Sequence, residues 1–313
     1  MEQLDLVLSF CREMIPGKGE DSWCTAFRDR DGLLAVFDGC GGAGARTHDC
    51  YSGKTEAYMA SRLCAGAFYD AFLAGETEGQ ALAATALERL KKYAPLPEEG
   101  GFVMKGSMVR TLPTTAAAAL VNETNGGYRV TAIWSGDSRV YLLDDRGLAQ
   151  LTMDDTSVPD PMDNVYEDGV LRNIFCSDRR VEVHCATVEV RPPFAVLAAT
   201  DGCYGYVSTP MEFEGMVLQS LQGAQTPEQW ENAMARLIGS VAGDDHCLCL
   251  AAFGYGSFGA LKDAFRERFA HLASTYLEPV SKLPLEDRQS RYGLWNAYRQ
   301  DYFRFMKGGQ SHG

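Results

Sequence analysis

Residues 33–44 read LLAVFDGCGGAG, an apolar run that ends in an acidic residue and a glycine-rich turn. Five consecutive apolar residues bounded by turn-forming segments are typical of a buried strand, so Leu33–Phe37 is predicted to be one. Asp38 then stands where this strand ends. Three further acidic motifs adjoin apolar runs in the same way: Gly136-Asp137-Ser138-Arg139, Thr200-Asp201-Gly202 and Gly243-Asp244-Asp245.

A single aspartate at a strand end is usually a turn residue. Four of them, with glycines alongside that let other groups approach closely, suggest a shared pocket built from carboxylates. Carboxylates crowded together repel one another unless a cation lies between them. Hard divalent ions such as Mg²⁺ and Mn²⁺ prefer oxygen ligands, so the four motifs predict a site for one of these ions.

The composition indicates a globular protein and argues against several classes of partner. The chain has 313 residues, of which 46% are hydrophobic and 23% charged, and its net charge is −13. A protein that binds nucleic acid or a membrane surface normally has a basic face, so neither partner is expected. We find no apolar run of about 20 residues and no signal-peptide pattern, which predicts a cytoplasmic protein.

The ten cysteines show no CxxC pair, which argues against a zinc ribbon. In a reducing compartment they are expected to be small core side chains. The pairs His184-Cys185 and His246-Cys247 are interpreted as strand positions rather than metal ligands.

The pattern along the chain predicts α+β layers, because strands group with strands and helices with helices. Short connections within residues 114–152 predict an antiparallel meander of four strands. Residues 153–180, called the flap below, are polar and irregular and are predicted to be a long functional loop. The other predicted strands are 23–28, 181–190, 194–199 and 246–253, and the predicted helices are one after Gly44 that ends at Gly75, then 80–93, 211–221 and 227–241.

The C-terminal part, residues 256–313, has nine Lys/Arg against six Asp/Glu, whereas the rest of the chain is acidic. Two amphipathic helices are predicted there, one from Leu261 to Tyr276 and one from Leu294 to Phe303. We therefore expect two units, 1–255 and 256–313, with the second docked on the first.

Two glycine patterns, Gly39–Gly44 and Gly254–Gly259, match the dinucleotide fingerprint G-x-G-x-x-G. That fingerprint requires a βαβ unit, and neither match is followed by the second strand of one, so a nucleotide-binding oxidoreductase is disfavoured. No GxSxG elbow supports a serine hydrolase.

Residues 36–42, V-F-D-G-C-G-G, resemble the V-F-D-G-H-G-G signature of the PP2C family of metal-dependent Ser/Thr protein phosphatases. Further motifs resemble that family in the same order along the chain, over about residues 15–253: Glu20-Asp21, Thr114-Thr115-Ala116, Gly136–Arg139, Leu151–Asp155, Ala199–Gly202 and Asp244-Asp245.

The resemblance implies a four-layer αββα sandwich that binds two Mg²⁺ or Mn²⁺ ions, with a third, weaker one. It implies hydrolysis of phosphoserine and phosphothreonine in proteins, among them a Ser/Thr kinase or its targets, by a water that bridges the metal ions. By motif, Asp38, Asp201 and Asp244 are the catalytic metal ligands, and Asp38 bridges both ions. The remaining implied roles are a metal-binding carbonyl for Gly39, metal-bound waters for Glu20 and Asp21, and a third metal for Asp137.

Three positions depart from the family pattern. Cys40 stands where many members have histidine, and Gly205 replaces an aspartate. Pro16 stands where the family has a phosphate-binding arginine, and Lys18 is the candidate that replaces it as a point charge. Because these departures concern the substrate, the alternative function is a catalytically weak member that binds phosphoproteins or serves as a scaffold.

Overall fold

A computed structural model describes residues 1, 3–95, 109–167 and 169–306. Two five-stranded antiparallel sheets pack face to face and helices cover their outer faces, which confirms the predicted αββα sandwich. Within the described residues the strands are β1 Leu4–Arg12, β2 Ser22–Arg28, β3 Asp31–Phe37, β4 Ala116–Thr124, β5 Gly127–Ser135, β6 Arg139–Asp144, β7 Gly147–Gln150, β8 His184–Val190, β9 Phe194–Ala199 and β10 His246–Phe253.

The helices lie outside the sheets and in the C-terminal part. A threonine side-chain oxygen caps two of them: Thr55 caps Glu56–Leu73, and Thr226 caps Pro227–Gly239. Pro227 occupies the first turn of the second of these helices. The α-helices in the described part of the chain are α1 Glu56–Leu73, α2 Gly79–Tyr93, α3 Pro210–Gly223, α4 Pro227–Gly239, α5 Phe258–Ala264, α6 Arg266–Leu272, α7 Glu278–Ser281 and α8 Arg288–Tyr302.

Strand β3 is buried on both faces, which explains its uninterrupted apolar sequence. Leu34 and Val36 point into the core between the two sheets. Leu33, Ala35 and Phe37 point to the opposite side, where they pack under α1 and α2. A strand with no solvent-facing side has no position for a polar residue until it ends, at Asp38.

The strand order corrects the predicted meander. One sheet has the order β2-β3-β4-β5-β8 and the other the order β1-β10-β9-β6-β7. The chain therefore crosses from one sheet to the other between β5 and β6, through the Gly136-Asp137-Ser138 turn. Short connections predicted hairpins throughout this region, but this link joins two sheets instead of two neighbouring strands.

Strand β1 was not predicted. Its residues pair antiparallel with β10, from Leu4 opposite Phe253 to Arg12 opposite His246. Leu8 and Phe10 alternate with exposed or half-buried positions and face the core, so a period-two signal is present in the sequence.

The C-terminal part, which the structure describes up to residue 306, packs on the outer face of the β1-β10-β9-β6-β7 sheet. This agrees with the prediction that it docks on the rest of the chain. The first predicted helix is divided at Phe265 and changes to a π-helical stretch at Ala273–Leu277. The buried side chains that join the common core with α3 and α4 are Leu261, Phe265, Leu272, Trp295, Tyr298 and Tyr302. The division of the chain at residue 255 stays a prediction.

The prediction that all cysteines are small core side chains is wrong in part. Cys11 and Cys247 lie opposite each other on β1 and β10 and form a disulfide, because strand pairing brings them together. Cys50 and Cys185 are exposed. Among the described residues, no helix combines the length and apolarity that a membrane span requires.

Candidate metal centre

Acidic residues from both sheets converge at one edge of the sandwich. Asp38 follows β3, Asp137 lies just after β5, Asp201 lies just after β9, and Asp21 and Asp244 precede β2 and β10. Burial, and then the negative charges of Asp201, Asp21, Asp137 and Asp244, raise the pKa of Asp38 well above its ordinary value. Asp38 is thus within electrostatic range of the other four carboxylates.

Two threonines that directly precede β4 hold the turn at Asp38. The backbone carbonyl of Asp38 accepts hydrogen bonds from the Thr114 hydroxyl at 2.7 Å and the Thr115 amide at 2.8 Å. Thr115 also shares a 2.7 Å hydrogen bond with Ser138, which joins this turn to the Asp137 motif. A side chain at Gly39 would lie 2.6 Å from the Ala57 carbonyl and 2.8 Å from the Glu20 carbonyl, so only glycine fits there.

A second network joins Asp21 to the sheet that contains β9 and β10. Thr200 donates its hydroxyl hydrogen to Asp21 Oδ2 at 2.8 Å and accepts a hydrogen bond from the Cys247 amide at 2.9 Å. Burial raises the pKa of Asp21 well above its ordinary value, and the charges of Asp201 and Asp245 raise it further. Asp21 is buried, whereas Glu20 is half-buried and Asp244 exposed.

Asp245 was not predicted as a site residue, yet it organises the loop that carries Glu20. Its carboxylate accepts hydrogen bonds from the backbone amides of Met14 and Glu20, each at 2.7 Å. Its carbonyl occupies the space that a side chain at Gly202 would need. The adjacent Asp244-Asp245 pair in the sequence is the signal that could have pointed to this role.

Asp137 is the member of the cluster whose bonding is incomplete. Its Oδ1 atom is buried and has no hydrogen-bond partner among the residues that the structure describes. Burial, followed by the charge of Asp201, raises its pKa well above the ordinary value. A buried carboxylate oxygen without a partner is costly, and a cation would remove that cost.

The donor set therefore suits a hard divalent cation: it consists of carboxylate oxygens with an excess of negative charge. The carboxylates are not closed around one point, because in the described part of the chain only Cys11, Asp21 and Cys247 place three donor atoms within 4.8 Å of one another. Cys11 and Cys247 share a disulfide, so that group offers no thiolate. Ion binding would have to draw Asp38, Asp201 and Asp244 closer together.

Two of the substrate-side positions differ in their relation to the cluster. Lys18 is exposed, and within the described residues its ammonium group has no ion pair with the cluster. Cys40 lies beside the cluster, and its Sγ atom is 3.8 Å from the backbone carbonyl oxygen of Asp38. Burial, and then the charge of Asp38, raises the pKa of the Cys40 thiol well above its ordinary value, so the thiol stays neutral.

A buried ion pair lies next to Asp137 and Asp201 of the cluster. Arg139 donates to both carboxylate oxygens of Asp154, at 2.9 and 2.6 Å, and its guanidinium lies 4.1 Å from the centre of the Tyr204 ring. The Tyr204 hydroxyl donates to the backbone carbonyl of Asp137. Together with Asp137 and Asp201, this pair lines a cavity of about 230 Å³ under the flap.

The stability of the metal-free protein should fall as the pH rises. Burial, and then the charge of Asp244, raises the pKa of Asp201 from 3.8 to about 6. Well below pH 3.8 this carboxyl is protonated in both the folded and the unfolded state. Between pH 4 and 6 only the unfolded chain ionises it, so the free energy of unfolding decreases, by on the order of 3 kcal/mol. Urea unfolding of EDTA-treated protein should show this decrease, and Asp201→Asn should flatten it; an unchanged profile would contradict the assignment.

Comparison with known proteins supports the architecture. No protein-family model and no curated protein matches this chain. The serine/threonine phosphatase Stp1 from Staphylococcus aureus matches with a TM-score of 0.59 and 20% identity, over 80% of this chain and 97% of its own. PstP/Ppp from Mycobacterium tuberculosis matches with a TM-score of 0.56 and 22% identity, over 79% and 97%.

A third structure is the catalytic domain of PstP in complex with two manganese ions, with a TM-score of 0.55 and 21% identity, over 79% of this chain and 97% of that one. At these identities the likeness concerns the fold. The two antiparallel sheets, their flanking helices and these matches together show that the chain has the fold of the bacterial PP2C-type serine/threonine phosphatases.

Proposed function

We propose that the protein is a metal-dependent phosphatase that hydrolyses phosphoserine and phosphothreonine in proteins. The observation that carries this proposal is the convergence of Asp38, Asp201 and Asp244 from three strands of two sheets. The PstP catalytic domain, which has this fold, is described with two manganese ions. We infer that this chain binds Mn²⁺ or Mg²⁺, two ions with a weaker third.

The proposed ligand roles are those that the resemblance to the phosphatase family implies for these motifs. Asp38, whose carboxylate interacts with those of Asp21, Asp137, Asp201 and Asp244, would hold both ions, and the Gly39 carbonyl would bind one of them. Asp201 and Asp244 would hold the other ion. The coordinated waters would be held by Glu20 and Asp21, and the third ion by Asp137.

When bound, such ions neutralise the phosphoryl oxygens and lower the pKa of the attacking water. The protein itself supplies the rest. Thr114 and Thr115 hold the backbone carbonyl of Asp38 through a hydroxyl and an amide group, and the Thr200 hydroxyl donates to the carboxylate of Asp21. Cys40, a neutral thiol of raised pKa, is a poor acid, so the leaving group would take its proton from solvent.

The proposed substrates are phosphorylated proteins, a Ser/Thr kinase or its targets, in a cytoplasmic signalling role. Lys18 is exposed and on the loop that leads to Glu20, so it could reach a phosphate as a mobile point charge. A single ammonium group binds phosphate less specifically than an arginine fork. We therefore expect weak binding of small phosphate esters, with much of the affinity coming from contacts to the protein substrate.

Hydrolysis of p-nitrophenyl phosphate is the direct test. The purified protein should release nitrophenol in the presence of Mn²⁺ and lose at least about 90% of its rate in excess EDTA, because the carboxylate cluster then lacks its cations. Re-addition of Mn²⁺ should restore the rate. A phosphothreonine peptide should be a better substrate by kcat/KM than the small ester.

The alternative, a phosphoprotein-binding scaffold, is favoured by Pro16, which leaves the site without the family's arginine. A rate that stays at the EDTA background with either substrate, together with measurable binding of the phosphothreonine peptide in calorimetry, would replace the enzyme proposal with this one.

A further inference from the structure

Helix α8 contacts the tip of the flap, residues 160–166. The indole nitrogen of Trp295 donates to Asp160 Oδ1 at 3.1 Å, and Arg299 pairs with Asp160 Oδ2 at 3.0 Å. Trp295 is fully buried, whereas the Asp160 side chain that accepts its hydrogen bond is partly exposed. These contacts join the C-terminal part of the chain to a loop more than 120 residues earlier.

The same helix contacts the flap at a second place. Tyr292 donates its hydroxyl hydrogen to Asp163, and its ring stacks on that of Tyr166, with centroids 6.0 Å apart and planes 17° apart. Arg291 donates to the Tyr166 hydroxyl at 3.1 Å, and the guanidinium of Arg288 lies 4.3 Å from the centre of the Tyr166 ring. The flap tip is therefore held by polar, stacking and cation–π contacts that all come from α8.

The other end of the flap is fixed to the carboxylate cluster. Asp155 donates its amide hydrogen to the Gly136 carbonyl at 3.0 Å and accepts a hydrogen bond from the Gly136 amide at 3.1 Å. Its neighbour Asp154 forms the buried pair with Arg139. The flap thus extends from the residue before Asp137 to helix α8.

Flap, helix and cluster enclose one cavity of about 230 Å³. Asn164 and Val165 of the flap line it, as do Tyr302 of α8 and the carboxylates Asp137 and Asp201. Tyr302 donates a 2.7 Å hydrogen bond to Gln150 of the sheet, so α8 is also attached to the sheet independently of the flap. Any shift of the flap tip away from α8 changes the width of the space beside Asp137 and Asp201.

We propose that α8 is a positioning element for the substrate: through Arg288 and Tyr292 it holds the flap tip at a fixed distance from the metal centre and so determines how a phosphorylated protein segment is accepted. This inference rests on the proposed function. A small ester needs only the metal centre, whereas a peptide also has to fit between the centre and the flap, so release of the flap should affect the peptide alone.

The double variant Arg288→Ala/Tyr292→Ala removes contacts to Tyr166 and Asp163 and leaves the anchor at Tyr302 intact. The matched control, Asn296→Ala/Asp301→Ala, removes from the same helix an exposed side chain and a contact to Arg146 of the sheet region, but no contact to the flap. Hydrogen–deuterium exchange of residues 157–167, at equal Mn²⁺, should be at least about tenfold faster in the first variant and unchanged in the control.

Kinetics supply the second measurement. In the first variant we expect KM for a phosphothreonine peptide to rise about tenfold, with kcat/KM for p-nitrophenyl phosphate within about twofold of wild type. Flap exchange equal to that of wild type, or equal losses on both substrates, would overturn the proposal. Because exchange does not depend on turnover, a wild type without activity would refute the phosphatase proposal and leave the exchange result to decide whether α8 holds the flap.

Discussion

Asp38→Asn is expected to lower Mn²⁺-dependent kcat/KM by about 10³-fold or more while raising the thermal stability of the metal-free protein. Asp38 is the carboxylate that interacts with Asp21, Asp137, Asp201 and Asp244 at once. Its removal takes away the central ligand and, in the absence of metal, the repulsion that this ligand causes. Activity and metal-free stability should therefore change in opposite directions.

Thermal unfolding with and without Mn²⁺ measures both effects. At Mn²⁺ about 100 times the dissociation constant, wild type should gain about 2.7 kcal/mol from binding, whereas Asp38→Asn should gain little. Asp70→Asn is the matched control, since Asp70 is 62% exposed and pairs with Arg89 on the surface. If Asp38→Asn melts at a lower temperature than wild type in EDTA and still responds fully to Mn²⁺, Asp38 has a structural role and the metal assignment fails.

Asp154→Ala is expected to destabilise the protein by about 3–5 kcal/mol, because it leaves the buried charge of Arg139 without a partner. The two side chains are only 2% and 5% exposed, and two hydrogen bonds join them. Gln150 also donates to Asp154, at 3.3 Å, so the carboxylate serves two donors. Urea unfolding at constant pH would measure the loss.

Two comparisons make this prediction specific. The double variant Arg139→Met/Asp154→Leu should be less destabilised than Asp154→Ala, because no unpaired charge then remains. Glu189→Ala breaks the pair with Arg129, whose members are 60% and 55% exposed, and should cost less than about 1 kcal/mol. Equal losses from the buried and exposed pairs would show that Arg139 finds another partner or reaches water.

The fold was largely predictable where the apolar sequence of a single strand is enough to identify that strand. Apart from Asp31 and His246, which begin β3 and β10, the strands β3, β9 and β10 are apolar because they are buried on both faces, and their ends were placed within about two residues. The pairing of strands was less predictable: the turn at Asp137 is as short as a hairpin loop, yet it connects two sheets. Loop length limits how far the chain can travel and does not determine which sheet it enters.

The candidate site shows a similar division. Convergence of Asp38 with Asp137, Asp201 and Asp244 was predictable, since each follows or precedes a strand in a recognisable motif. The role of Asp245 was not, because it depends on backbone amides of Met14 and Glu20 that are more than 220 residues away in sequence. Nor could the sequence indicate that Tyr292 contacts Asp163. The amphipathic pattern of a helix predicts that one of its faces is buried, but it does not identify the segment that packs on that face.

The strand order has a consequence for biosynthesis. β10, which enters the sheet between β1 and β9, is the last strand in the described part of the chain, and Asp244 lies just before it. The paired residues Cys11 and Cys247 of β1 and β10 are 236 positions apart, and such non-local contacts form late in folding. A nascent chain that has emerged only as far as β9 lacks one proposed ligand and leaves β1 without its neighbour. The proposed site should therefore become complete only after β10 has left the ribosome.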